Sequence, residues 1–156
     1  MVENIEDAVI ATDNVPKAQL FDSKTAKVLR SPHYNYVYKK GPGTFARWGG
    51  TLEEDPAYSH LGPEIADIEI STVCNGVGNG PCKFCYKSNT GKGENMSLEL
   101  FKKVFSKFPP VLTQIAFGIG DIDANPDLWN IMRHCRENGI VPNITINVVD
   151  RDWETC

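Results

Sequence analysis

Three cysteines lie in one short, glycine-rich stretch of this 156-residue chain, at Cys74, Cys82 and Cys85. The two residues between Cys82 and Cys85 let both thiols reach one metal centre from a tight turn. The longer insert after Cys74 contains three glycines and a proline, so its backbone can wrap closely around a bulky inorganic group. Thiolates are soft ligands, and they select zinc, copper(I) or iron–sulfur clusters. The spacing therefore predicts a metal centre held by these three residues.

The number of available ligands distinguishes a zinc site from an iron–sulfur cluster. A closed structural zinc site needs four ligands, and the stretch supplies three. The candidates for a fourth are His134 and Cys135, but Cys135 falls in the apolar stripe of a predicted helix, which favours a buried core thiol. Three cysteines without a fourth suit a cluster with one open iron, a site that can bind substrate. A zinc knuckle completed elsewhere in the chain is the alternative.

An alternating series of strands and helices must position these thiols. The sequence predicts strands over 64–72, 111–117 and 141–148, and helices over 97–108 and 126–138. Short links between such elements imply parallel strands with right-handed crossovers. Ligands bind at the carboxyl ends of such strands, and the cysteines follow the first strand directly. The turn Gly118–Asp121 ends the second strand, where Asp121 offers a carboxylate to an amine.

The cysteine stretch resembles the cluster motif of radical S-adenosylmethionine enzymes. In that family three cysteines follow the first barrel strand, and an aromatic residue, here Phe84, often precedes the last of them. Residues 120–128 resemble the family's Gly-Gly-Glu-Pro region and the Asn-Pro-Asp-Leu that opens the next helix. The resemblance covers about residues 64–148.

The resemblance implies a fold, a cofactor pair and a reaction. The fold would be a full or partial (β/α) barrel, with a 4Fe–4S cluster on Cys74, Cys82 and Cys85. S-adenosyl-L-methionine would bind the open iron and be cleaved reductively to a 5′-deoxyadenosyl radical, with an electron donor such as flavodoxin or ferredoxin. The substrate is not readable from the sequence. By resemblance, Phe84, Gly120 and Asp121 would contact the cofactor. Two further candidates come from the residues themselves: Gly118 in the same strand-end turn, and Asn147 on the polar side of the third predicted strand. That polar side is equally consistent with a half-exposed edge.

The predicted fold class is α/β, a partial (β/α) barrel of parallel strands preceded by an N-terminal extension. The extension, residues 1–63, would begin with an irregular lead-in over 1–25 and contain a β-hairpin of strands 34–38 and 44–48. The partial barrel would occupy 64–156, about half of a full barrel. We therefore expect the chain to bind a cluster but to turn over poorly alone, with self-association or a partner chain completing the barrel.

Composition limits the class of protein. The formal net charge is −4, with 41% hydrophobic and 23% charged residues, which is typical of a globular protein and does not favour nucleic-acid binding. The sequence has no secretion-signal pattern and no apolar run of about 20 residues, so we predict a cytoplasmic protein without a membrane partner. In that reducing compartment, clustered cysteines favour metal binding over disulfides. A cluster-carrying electron-transfer module and a zinc-stabilised binding domain, both without catalysis, remain alternatives to an enzyme.

Overall fold

The structure is a computed structural model, and it divides the chain into two compact units. The first unit contains Met1–Ile65, Phe108–Gln114 and Gly139–Val141, and the second contains Ala66–Lys107, Ile115–Asn138 and Pro142–Cys156. The residues that the structure describes are 6–10 (backbone only), 18–56, 58, 59, 61–76, 82, 83 and 85–146.

The first unit is built on an antiparallel sheet of five strands in sequence order. The strands are β1 (Glu6–Ile10), β2 (Ala18–Asp22), β3 (Ala26–Arg30), β4 (Asn35–Lys39) and β5 (Thr44–Trp48). Alternate side chains of a strand share one face of the sheet, and the register pairs Leu20 with Leu29 and Leu29 with Tyr36. Together with Tyr38 these side chains form the core of the unit, and each is buried. The predicted hairpin is therefore present as β4 and β5, but the prediction of an irregular lead-in over 1–25 was wrong.

The strand β3 was not predicted from the sequence, because a lysine occupies one of its inward positions. Lys27 lies on the same inward face as Leu29, which interrupts the apolar alternation that marks a strand in sequence. Its ammonium donates hydrogen bonds to the carbonyls of Pro110 (2.9 Å) and Leu112 (2.7 Å), so the inward charge is satisfied by backbone. Desolvation lowers the pKa of Lys27, against the opposing pull of Asp22 at 3.7 Å. The lysine thereby fastens the segment 108–114 to the sheet.

The second structural feature is a three-stranded parallel sheet in the order β6-β7-β8, with two helices in the connections. The elements are β6 (Ile65–Glu69), α1 (Leu98–Phe105), β7 (Gln114–Gly118), α2 (Leu128–Glu137) and β8 (Val141–Ile144). Both helices were predicted and are confirmed, although each is shorter than its prediction. Ser97 caps α1, where its hydroxyl accepts a hydrogen bond from the Leu100 N–H at 3.2 Å.

The prediction of a partial (β/α) barrel was wrong. Within the described residues the parallel strands number only three, and they form an open sheet that closes no barrel. Closing a barrel requires tilted strands with a fixed stagger around a complete circle, which three strands cannot provide. The part of the chain predicted as an extension also carries a five-stranded sheet of its own rather than a single hairpin. The molecule therefore combines an antiparallel sheet with a separate small α/β sheet.

The helices of the second unit pack through an aromatic cluster. Phe101 is fully buried on α1, and its ring lies 5.7 Å from the ring of Phe117 at the end of β7. The His134 ring of α2 lies edge-on to Phe105 at 5.1 Å. Such edge-to-face contacts add about 0.5–1.5 kcal/mol to the burial of each ring. The cluster fixes the helices, and through Phe117 it fixes the end of β7.

Candidate functional site

A cavity of about 720 Å³ lies at the carboxyl ends of the parallel strands, within the second unit. Cavities of about 300–1,000 Å³ hold small molecules in proteins, and the carboxyl ends of parallel strands are where α/β folds bind them. We refer to it as the thiol cavity because Cys74, Cys82 and Cys85 all line it. The other lining residues are Asp67, Ile68, Glu69, Tyr86, Lys87, Asn89, Ala116, Phe117, Gly118, Ile119, Gly120 and Thr145.

The backbone brings the three thiols to this cavity by local hydrogen bonds. Cys74 follows the isolated bridge between Val73 and Thr90, and its N–H donates to the Thr90 carbonyl at 3.0 Å. The N–H of Cys85 donates to the carbonyl of Cys82 at 3.0 Å, which closes the predicted tight turn. All three thiols are free and half-buried.

Two of these sulfurs accept backbone hydrogen bonds. The N–H of Gly76 donates to Cys74 Sγ at 3.3 Å. The N–H groups of Lys87 and Asn89, with a smaller contribution from Ser88, lower the pKa of the Cys85 thiol. Ser88 has a φ of 54°, a left-handed conformation that costs a non-glycine residue about 1–2 kcal/mol. Successive N–H groups arranged in this way form an anion-binding concavity, which here favours a thiolate.

The predicted glycines Gly118 and Gly120 line the cavity, and their missing side chains make room for the protein's own loop. A Cβ on Gly120 would lie 2.5 Å from the Cβ of Cys74 and would also collide with the Val73 carbonyl. A Cβ on Gly118 would lie 2.6 Å from Nζ of Lys87. The glycines therefore allow the end of β7 to sit directly against the cysteine stretch.

Of the other residues predicted to contact the cofactor, the structure describes Asp121. Asp121 is half-buried one residue beyond the lining Gly120, and its carbonyl accepts the Ala124 N–H at 3.0 Å. Phe84 and Asn147 lie outside the described residues. The structure thus brings Gly118 and Gly120 to the cysteines, while the Asp121 side chain is not part of the cavity wall.

Comparison with known proteins identifies no relative of this chain. No family model, curated protein or solved structure matches the chain. The arrangement of side chains in the thiol cavity is therefore the basis for any functional conclusion.

Among the described residues, no helix is long and apolar enough to span a bilayer.

The remaining cysteine of the described region does not line the cavity. Cys135 is fully buried on the inner face of α2, and burial raises the pKa of its thiol to about 12. Its neighbour His134 packs its ring against Phe101 and Phe105. Over the described residues, no group of three or more His, Cys, Asp or Glu side chains is arranged to hold a metal ion.

Sequence reasoning missed the charged side chains of this cavity. Lys87 donates from Nζ to Glu69 Oε1 at 2.9 Å, and Asp67 lines the cavity two residues before Glu69. The position of Lys87 two residues after Cys85 is a signal that it lies near the site. The acidic pair could have been found from its place at the end of a strand that leads into a cysteine loop.

The stretch that resembled a family motif has a structural role in this chain. The amide of Asn125, which is buried, donates to the carbonyls of Ile70 (2.7 Å) and Met96 (3.0 Å). The carboxylate of Asp127 accepts the N–H of Leu98 at 2.9 Å, which satisfies the first turn of α1. These contacts tie the end of β6 to the starts of both helices, four residues before Cys74.

Proposed function

We propose that this chain is an iron–sulfur protein of the radical S-adenosylmethionine type, with a 4Fe–4S cluster on Cys74, Cys82 and Cys85. The observation that carries the proposal is that these three thiols line one cavity at the carboxyl ends of parallel strands. Cys135, by contrast, is buried on a helix with a raised pKa and suits a core role.

The donor set of the cavity fits a cluster. Hydrogen bonds to the sulfurs tune iron–sulfur centres, and both Cys74 and Cys85 receive backbone N–H groups. A cluster binds its thiolates on separate iron atoms, whereas a zinc ion requires all of its ligands around one atom. The cavity lining includes three thiols, fewer than the four ligands of a closed structural zinc site, and this supports a cluster with one open iron.

When bound, the cluster would supply the electron that cleaves S-adenosyl-L-methionine to a 5′-deoxyadenosyl radical, as the resemblance implies. The residues of the chain would bind and orient the reactants. The three thiolates would anchor the cluster, and the backbone N–H groups around Cys85 would stabilise the negative charge of the Cys85 thiolate. Gly118 and Gly120 let the end of β7 lie against the cysteine stretch, and so close to the cluster, and Asp121 would contact the cofactor amine. Phe84 and Asn147 would lie beside the cofactor.

Cofactor cleavage tests the proposal. The protein is reconstituted anaerobically with iron and sulfide, reduced with dithionite and incubated with S-adenosyl-L-methionine, and 5′-deoxyadenosine is measured by chromatography. We expect 5′-deoxyadenosine from the wild-type protein and from Cys135→Ala, but none from Cys82→Ala. A visible absorption that bleaches with dithionite but gives no 5′-deoxyadenosine would indicate an electron-transfer module. A colourless protein containing zinc would contradict the proposal.

A further inference from the structure

The strand β5 lies at one edge of the antiparallel sheet. It pairs with β4 along Thr44–Trp48 and ends the sheet on its other side. Alternate residues of such a strand turn their backbone N–H and C=O groups away from the sheet. Among the described residues, none forms a hydrogen bond with these outward groups. An edge of this kind is a template on which another strand can pair.

Natural proteins usually block an edge strand, and β5 is not blocked. The edge strand β8 of the parallel sheet, by contrast, contains Pro142, which has no N–H to donate. β5 contains no proline, glycine or lysine, and its register with β4 runs without a bulge. Its one charged residue, Arg47, is already paired with Glu64 at 2.9 Å, so it does not repel an incoming strand. Thr44, Ala46 and Arg47 are exposed, which leaves the edge accessible.

The sequence of β5 is complementary to itself when two copies run antiparallel. A two-fold axis at Ala46 gives the register that pairs all five residues of the strand. This register places Phe45 opposite the partner's Arg47, whose guanidinium can lie on the ring. It also places Thr44 opposite the partner's Trp48, which joins a β-branched residue to an aromatic one. Cross-strand pairs of these kinds stabilise a sheet, and each occurs twice around the axis.

We infer that two copies of this chain associate through their β5 strands, with a two-fold axis at Ala46, into one antiparallel sheet to which each copy contributes five strands. The contact is isologous, so it closes at two copies. One pair of short strands is a small interface, below the about 1,200 Å² of stable complexes, so the dimer is weak, with a Kd in the micromolar range. No cysteine belongs to β5, and the inference therefore stands independently of the proposed function.

Sedimentation equilibrium tests the inference on the whole chain, at concentrations from about 5 to 500 μM, where a weak interface becomes populated. We expect the mass of the wild-type protein to rise from that of one chain to that of two chains, and no further. The mass of a single chain at every concentration would overturn the inference. Growth beyond two chains would also overturn it, because an isologous contact leaves no free edge of the same kind.

Variants at the axis locate the contact. Ala46→Glu would place two carboxylates directly opposite each other, and Ala46→Lys would place two ammonium groups there. Each variant alone should weaken the dimer by about fivefold or more, because like charges on opposed residues are unfavourable. An equimolar mixture of the two variants should dimerise at least as tightly as the wild type, because opposite charges then meet at the axis. Circular dichroism confirms that each variant is folded.

The matched control is Gln19→Glu, which adds a negative charge to an exposed residue of β2, away from the edge. It should dimerise as the wild type does, and weakening equal to that of Ala46→Glu would refute the assignment to the edge. A dimer that Ala46→Glu leaves intact would show that the chains meet elsewhere, for example through the parallel sheet. A mixture of the Ala46→Glu and Ala46→Lys variants that dimerises no better than either alone would refute the two-fold axis at Ala46.

Iron content, measured in the same samples before and after reconstitution, separates this inference from the proposed function. Dimerisation with the expected response to charge at residue 46, but without iron incorporation, would uphold the inference and contradict the cluster. Iron incorporation by a protein that stays monomeric at every concentration would uphold the cluster and contradict the inference.

Discussion

Replacement of Asn125 with alanine should strongly destabilise the protein. The Asn125 side chain makes three hydrogen bonds, donating to the carbonyls of Ile70 and Met96 and accepting the N–H of Asp127 at 2.9 Å. At about 1 kcal/mol each, their loss amounts to roughly 3 kcal/mol. The Ile70 carbonyl keeps the Met96 N–H at 2.9 Å, which limits the loss at that group. Since small domains are stable by about 5–15 kcal/mol, the change is large.

Urea denaturation followed by circular dichroism measures this effect. The free energy of unfolding is measured for the wild-type protein and for Asn125→Ala. Its slope against urea concentration should be the same in both. Asn130→Ala is the control, because Asn130 is an exposed residue of α2 whose side chain accepts a hydrogen bond from the neighbouring exposed Arg133 side chain. The control should stay within about 0.5 kcal/mol of the wild type. A loss of less than about 1 kcal/mol in Asn125→Ala would show that Asn125 does not hold the strand and helix ends together.

Three further predictions concern other parts of the molecule. Cys135→Ala should lower stability by about 1–3 kcal/mol yet leave iron content unchanged, and equal loss of iron in a folded protein would make Cys135 a ligand. Gly120→Ala should reduce iron incorporation, because its Cβ would lie 2.5 Å from that of Cys74, whereas Gly41→Ala, with no atom within 4 Å, should not. Burial raises the pKa of Glu64, and it outweighs the opposing ion pair with Arg47 at 2.9 Å because the arginine is half-exposed to solvent. The contribution of Glu64 to stability is therefore present at low pH and is lost as the pH rises through that raised pKa. Urea titrations across this range should show a smaller decline for Glu64→Gln than for the wild type, and identical declines would contradict the assignment.

The sequence was informative where short-range patterns decide the structure. The alternation of Tyr36 and Tyr38 marks a strand, and the apolar stripe that contains Cys135 marks a helix with a buried face. Local spacing also placed Cys82 and Cys85 in one turn, which the hydrogen bond between their backbones confirms. These features depend on residues that are near one another in the chain.

The features that the sequence did not predict depend on contacts between residues that are far apart in the chain. Lys27 faces inward because carbonyls more than eighty positions away accept its ammonium, and no local pattern contains that information. The place of Lys87 in the cavity likewise depends on Glu69 of another strand and on the missing side chain of Gly118. The closure of a barrel was inferred from resemblance, whereas the strand order decides it. Local alternation could not reveal how many strands the sheet would contain.

Iron and acid-labile sulfide, measured per chain after anaerobic reconstitution, test the central claim most directly. The account predicts about four of each in the wild-type protein and in Cys135→Ala, because the cluster type that leaves one iron open on three thiolates contains four iron atoms. Each of Cys74→Ala, Cys82→Ala and Cys85→Ala should lose both iron and sulfide. A wild-type protein that takes up one zinc ion and no sulfide, or a Cys82→Ala variant with full iron content, would contradict the assignment of the thiol cavity to a cluster.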